Sequence, residues 1–295
     1  MRTHDMRSIL PPLLLCLLAV PLSAATPTEN IAAGRAALER DDNEKAAELF
    51  EKAIAQQPND AQSHYLLGLA YGDMAQRSNI LKQASLAKKT RVEFERAVEL
   101  DPNYIDARFM LINYYLIAPG FMGGGEDKAL AQAVEVKRRN GIEGHRAYAR
   151  IYARQKKQDL ARKEYVDAVR ENPKSARAHY LLAGFLINDR NWPSALHELD
   201  MALTLDPSYM PTHLRIGAHA ALSGSNYTRA EESLRKYLTS YKPTENEPSL
   251  AAAWYWLGRV QEKQGKKNDA RQSYLNGQKL APNDKDFKEA LKKLG

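Results

Sequence analysis

Three groups of residues in the 295-residue chain have types and spacings that could do chemistry. The densest glycine stretch, IAPGFMGGGEDKALAQA at 117–133, could present backbone N–H groups to a phosphate, because glycines running into a helix start leave those donors open. A Walker-type loop, however, needs Lys followed by Ser or Thr directly after its last glycine, and a dinucleotide fingerprint must follow a strand. Here Gly125 is followed by Glu126 and Asp127, and ARFMLINYYLI ahead of the stretch has helical spacing. Two carboxylates in a first turn suit the positive end of a helix and repel a phosphate. The stretch is therefore expected to be a turn that reverses the chain after Pro119 and opens the helix bearing Ala129.

The second group is histidine. His64, His145, His179 and His213 stand at corresponding places of successive segments, where a later segment has Trp254. No two share the close spacing of a helical metal pair, so they are expected to pack helices rather than bind metal. The third group, Ser194 with His197, Glu198 and Asp200, mimics a nucleophile and base, but neighbours on one helix point in different directions. The basic run KRRNGIEGHRAYARIYARQKK at 137–157 has interleaved tyrosines, yet Glu143, Asp159, Glu164 and Asp167 break it up, and nucleic acid is not the expected partner. No catalytic residue, metal ligand or cofactor is assigned.

What must position the remaining polar residues is a set of helices. Pro58, Pro102, Pro173, Pro207 and Pro282 each close a helical stretch by removing a donor and restricting the residue before. Upstream of them runs a column of small residues, Ala46, Ala129, Ala161, Ala195, Ala230 and Ala270. Four residues later comes a large one, Phe50, Tyr165, Leu199, Leu234 and Tyr274, with Phe94 in the same column, and then Ala53, Ala97, Ala168 and Ala202. Earlier in each segment HYLLGLAY at 64, HYLLAGFL at 179 and WYWLGRVQ at 254 place Leu67, Leu182 and Leu257 ahead of Gly68, Ala183 and Gly258. Apolar residues three and four apart mark one helical face, so each segment reads as two amphipathic helices. Small residues facing large ones let their axes approach.

With these columns in place, the chain resembles the tetratricopeptide repeat family, in which a helix-turn-helix unit of about 34 residues recurs with a terminal proline. The resemblance implies an all-α solenoid of about seven units, near 27–60, 61–104, 105–141, 142–175, 176–209, 210–250 and 251–284, closed by a capping helix at 285–295. The second unit is about ten residues too long, within DMAQRSNILKQASLAKKT, and the sixth ends irregularly through SYKPTENEPS. That long unit together with YYLIAPGFMGGGEDKA also resembles a group of secreted bacterial repeat proteins.

The N-terminus agrees with export. Arg2 and Arg7 precede the apolar run ILPPLLLCLLAVPL and then Ser23-Ala24-Ala25, a run shorter than a membrane span and broken by prolines. It is expected to be a signal peptide cleaved after Ala25, taking the lone Cys16 with it; Leu14 and Leu15 ahead of Cys16 do not suit a lipid-anchor site. The mature chain would have no thiol and no transmembrane segment, a net charge falling from +7 to about +6, and a periplasmic residence after crossing the inner membrane.

In such stacks the first helix of each unit lines a concave face that commonly binds a peptide. The column after the histidines holds Ile31, Tyr65, Phe109, Arg146, Tyr180, Leu214 and Tyr255, and neighbouring columns add Arg35, Asn113, Arg150, Arg154, Arg177, Arg259 and Lys263. The expected ligand groove is Tyr65, Phe109, Asn113, Arg146, Arg150, Arg177, Tyr180, Tyr255 and Arg259, because rings and guanidiniums concentrate binding energy. The lysine and asparagine clamp of some family members is not matched, since Ile31 and Tyr65 occupy those columns. The resemblance implies a non-enzymatic scaffold or assembly factor holding an extended, acidic-leaning protein segment; the same lining would suit an envelope glycan or acidic polymer. Tyr165→Ala is expected to cost about 3–5 kcal/mol, and reversing Arg146 and Arg150 together to spare melting.

Overall fold

A computed structural model describes residues 25–243 and 247–295; the expected signal peptide lies outside them, apart from Ala25. The described residues form fifteen α-helices and no strand. They run in antiparallel pairs: α1 (Pro27–Glu39) with α2 (Asn43–Gln56), α3 (Ala61–Gln76) with α4 (Ile80–Leu100), and α5 (Ile105–Ile117) with α6 (Glu126–Arg139). Then follow α7 (Gly141–Arg154) with α8 (Gln158–Glu171), α9 (Ala176–Asn188) with α10 (Trp192–Leu205), α11 (Met210–Ser223) with α12 (Tyr227–Ser240), and α13 (Leu250–Lys263) with α14 (Lys267–Leu280). A last helix, α15 (Lys285–Leu294), lies on α14.

Local chemistry sets the starts. The side chains of Asp42, Asp60, Asn79, Asn140, Ser175, Asn191 and Ser249 accept from backbone N–H groups in the first turns of α2, α3, α4, α7, α9, α10 and α13. Thr26 and Glu29 form a reciprocal capping box on α1.

The small and large columns interlock within each pair. A Cβ placed on Gly34, Gly68 or Gly258 would come within 2.5 Å of a ring carbon of Phe50, Phe94 or Tyr274. Those rings are buried, and only a residue without a side chain lets the paired axes close over them. Odd-numbered helices also touch along the stack, α5 against α7, α7 against α9, α9 against α11 and α11 against α13. They form the inner layer of an α-solenoid, and the even-numbered helices the outer one. The amphipathic α15 buries Phe287 and Ala290 on the exposed end of α14, where Gly277 admits the Phe287 ring.

The extra residues of the second pair lengthen helices rather than forming a loop: α4 has 21 residues where most partners have 14. Between α5 and α6 the glycine stretch is a turn, with a short 3-10 segment at Gly120–Met122. Gly123 has φ 90°, the left-handed region that glycine enters freely. A Cβ on Gly124 would lie 1.7 Å from the Ala118 carbonyl oxygen. Glu126 and Asp127 then open α6.

Candidate ligand-binding groove

The inner layer encloses an open cavity of about 1110 Å³ between α5, α7, α9, α11 and α13. Four guanidiniums line it, Arg146, Arg150, Arg177 and Arg215, together with the rings of Phe109, Tyr165, Tyr180, Phe185 and Trp256. Asp106, Asp189 and Glu247 contribute carboxylates at its edges.

Each arginine is held differently. The Arg146 guanidinium lies 3.8 Å over the Phe109 ring, with its Nε 2.8 Å from Glu143 Oε2. Arg177 donates through Nε to Glu143 Oε1 at 2.9 Å and through Nη1 to the Tyr209 hydroxyl at 2.9 Å. Arg215 stacks 3.7 Å over Tyr180 and donates Nη1 to the Tyr180 carbonyl at 2.9 Å. Gly184 creates the room, since a Cβ there would strike that same nitrogen. Arg150 is exposed and makes no ion pair among the described residues. One arginine is thus left to meet a ligand, and three others are stacked or braced around it.

Electrostatics follow from this bracing. Burial lowers the Arg146 pKa, and the Glu143 carboxylate only partly offsets it. Burial also acts to lower Arg177, but Glu143 and Tyr209 outweigh it and the net direction is up. Asp106 is pushed up by burial, against the pull of Arg146 and Arg177. Glu143 is shared between two arginines, so removing either takes away one of the two cations that hold a buried carboxylate.

Of the residues expected in the groove, Phe109, Arg146, Arg150, Arg177 and Tyr180 come together on this cavity, while Tyr65, Asn113, Tyr255 and Arg259 lie away from it. Tyr65 is wedged between Tyr104, at 4.9 Å between ring centres, and Phe94. Tyr255 packs on Phe287 and Tyr274 and accepts from Arg259 Nη1 at 3.1 Å, so both serve the end of the stack. Asn113 is half-buried on α5. The expectation that reversing Arg146 and Arg150 together leaves melting nearly unchanged does not fit this geometry, because a glutamate at 146 would face Glu143 in a half-buried setting. Tyr165 departs from its column too, since it is only half-buried where Phe50, Leu199, Leu234 and Tyr274 are fully enclosed, and its ring forms part of the cavity wall.

Sequence reasoning missed Arg215, Phe185 and Trp256. The available signal was Gly184, which stands where the aligned segments carry Leu69 and Arg259 and so leaves a vacancy for a long side chain from the next helix.

Three of the four histidines, His64, His145 and His179, bridge helices. His64 Nδ1 meets Glu93 at 2.6 Å and Nε2 meets the Pro58 carbonyl at 3.0 Å. His179 repeats this with Glu198 at 2.6 Å and the Pro173 carbonyl at 3.2 Å, and His145 lies between Glu164 and Glu171. Arg108 fills the same slot, donating to the Pro102 carbonyl and Gln132. His64, His179 and Arg108 tie the end of the preceding pair to both helices of their own, whereas His145 joins the two helices of a single pair.

Comparison with known proteins now adds the family. The family model for the TPR repeat matches residues 34–74, and that for the tetratricopeptide repeat matches 146–209 and 217–285. The chain belongs to the tetratricopeptide repeat family, whose members generally serve as protein-interaction scaffolds. Among curated proteins, the general transcriptional corepressor ssn6 of Schizosaccharomyces pombe is 27% identical over 126 residues, 43% of this chain, and the match spans only 11% of the corepressor. Among solved structures, a tetratricopeptide repeat protein from Parabacteroides merdae shares 17% identity with a TM-score of 0.50, covering 91% of this chain and 98% of its own. A human IFIT1 dimer with PPP-AAAA shares 24% identity with a TM-score of 0.55, covering 92% of this chain and 63% of its own. These likenesses speak to fold.

Proposed function

We propose that this chain is an exported scaffold that holds an extended segment of a partner protein in the cavity between α5 and α13, with a carboxylate of that segment on Arg150. The observation that carries the reading is the lining itself: Arg150 is exposed among guanidiniums already fixed over rings by Phe109, Tyr180 and Glu143. A preformed surface of this kind binds without reorganising, and the ligand alone loses conformational freedom on docking. An aromatic wall of Tyr165, Phe185 and Trp256 supplies apolar contact for side chains flanking the carboxylate. Export to the periplasm rests on Arg2 and Arg7 ahead of a short, proline-broken apolar run that ends in small residues.

The test is crosslinking capture in the native envelope with wild-type protein and Arg150→Glu side by side, read by mass spectrometry. Arg150 makes no ion pair among the described residues, so its reversal spares the fold and isolates recognition. A protein enriched by the wild type and lost with Arg150→Glu supports the reading. Equal recovery by both forms would place recognition elsewhere, and recovery of a polymer without protein would replace the ligand class.

A further inference from the structure

The glycine turn has a property that the groove does not use. Among the described residues, four large apolar side chains stand apart in exposure: Phe121 at 90%, Leu81 at 83%, Ile80 at 77% and Ile117 at 70%, ahead of Val134 at 53%. They come from two neighbouring helix pairs and from the same end of each. Ile80 and Leu81 open α4, Ile117 closes α5, and Phe121 sits in the 3-10 turn that follows.

The glycine turn packs on the middle of α4, some way along that helix from Ile80 and Leu81. A Cβ on Gly123 would lie 3.2 Å from Arg91 Nε, and the Tyr115 hydroxyl donates to Glu95 at 2.9 Å, so the turn rests on the side of α4. Ile80 lies further along the same helix, about 16 Å from Arg91 at 1.5 Å per residue. The turn is also fastened. Tyr114 donates its hydroxyl to the Met122 carbonyl at 2.8 Å, Gly124 N–H to the Pro119 carbonyl at 3.1 Å, Gly125 N–H to the Tyr115 carbonyl at 2.9 Å, and Lys128 Nζ to the Gly123 carbonyl at 3.0 Å. A Phe exposed on so constrained a turn is presented outward by design of the backbone.

The start of α4 is basic. The first three turns of α4, ILKQASLAKKTR, carry Lys82, Lys88, Lys89 and Arg91 and no acid. Lys128 stands beside the turn; the nearby carboxylates are Glu126 and Asp127, which open α6, Glu95, which is paired with Arg91, and Glu44, which lies by Asn79 and Lys82. Large apolar side chains that protrude singly into solvent have no groove of their own to fill; they bury well only in a medium that closes around each one. A lipid interface does this, with basic neighbours on anionic headgroups and apolar tips about 5–10 Å into the headgroup boundary.

We propose that this region docks on an anionic phospholipid surface through Phe121, Ile117, Ile80 and Leu81, with Lys82, Lys88, Lys89 and Lys128 against the headgroups. The proposal stands independently of the groove.

The test uses the full chain carrying Phe121→Trp and vesicles of phosphatidylglycerol and phosphatidylcholine with acyl chains brominated near the headgroup. The expected result is quenching of the added tryptophan beyond that of the native Trp192, Trp254 and Trp256, seen with phosphatidylglycerol present and reduced by salt. Adding Ile80→Ser and Leu81→Ser should raise the lipid needed for half-quenching at least ten-fold without moving the melting temperature. Absence of vesicle binding, or binding with the tryptophan at 121 unquenched, overturns the proposal. A blue-shifted tryptophan at 121 without lipid, together with a doubled mass that the serine variants return to one chain, would assign the region to a second copy and overturn it equally.

Discussion

Tyr165 and Tyr274 occupy the same column of the repeat, and the structure separates what their removal does. Tyr274 is fully enclosed, its ring pressed on Gly258 and its hydroxyl donating to Glu262 at 2.9 Å. Tyr274→Ala leaves a closed hole and an unpartnered carboxylate, a cost of about 3–5 kcal/mol. Tyr165 faces the open cavity and touches Phe185, with ring centres 5.5 Å apart. Its removal enlarges a space already open to solvent, so the cavity penalty is small and only the buried part of the ring is forfeited, about 1–2 kcal/mol. At about 2–4 °C per kcal/mol for a chain of this size, Tyr274→Ala should lower the melting temperature by roughly 6–20 °C and Tyr165→Ala by roughly 2–8 °C. Circular dichroism at 222 nm during heating reads both. Equal losses in the two variants would refute the view that the fourth pair gives its wedge residue to the groove.

Other perturbations separate structural from recognition roles. Arg146→Glu should lower melting by about 1–3 kcal/mol because it sets a second carboxylate against Glu143, whereas Arg150→Glu should leave melting within about 0.5 kcal/mol; urea unfolding distinguishes them. Gly68→Ala should destabilise by about 1–3 kcal/mol, because a methyl group would stand 2.5 Å from the Phe94 ring in a buried interface; a neutral or stabilising result in the same assay would mean the axes can part freely. Burial acts to lower the His64 pKa, but Glu93 and the Pro58 carbonyl outweigh it and the folded value is raised. Protonation is therefore favoured in the fold. Its stabilising contribution is full below the unfolded value of about 6.5 and is lost as pH rises through the raised folded value, so the stability difference between wild type and His64→Gln should shrink over that window. A difference constant with pH would contradict the pairing.

The fold was legible because the solenoid repeats one packing problem. Gly34 against Phe50 and Gly258 against Tyr274 recur at one spacing, which the longer second pair stretches for Gly68 against Phe94, and a spacing survives in sequence even where residue identity does not. The excess in the second pair was visible as length, but its form was not, because ILKQASLAKKTR is compatible with helix or loop until Leu86 and Thr90 are seen to be buried against the stack. The groove was read only in part. Columns identify which residues face inward and not which of them a neighbour covers, so Tyr65 and Tyr255 looked equivalent to Tyr180 although each is packed within its own end of the stack. Arg215 escaped because its position depends on the absent side chain of Gly184 in the preceding pair. The histidine partners were in principle readable, since Glu164 and Glu198 follow His145 and His179 at one constant interval, which the longer second pair stretches for Glu93.

The most direct test of the scaffold account is site-specific photocrosslinking in the native envelope, with a photoreactive phenylalanine analogue at Phe185 on the cavity wall and, as control, at the exposed Val166 on the outer helix α8. The account predicts a discrete protein adduct from position 185, absent from position 166, whose crosslinked peptide is extended and carries a carboxylate near the site of attachment. Adducts from position 166 alone, or none from position 185 while the partner is still captured, would contradict it.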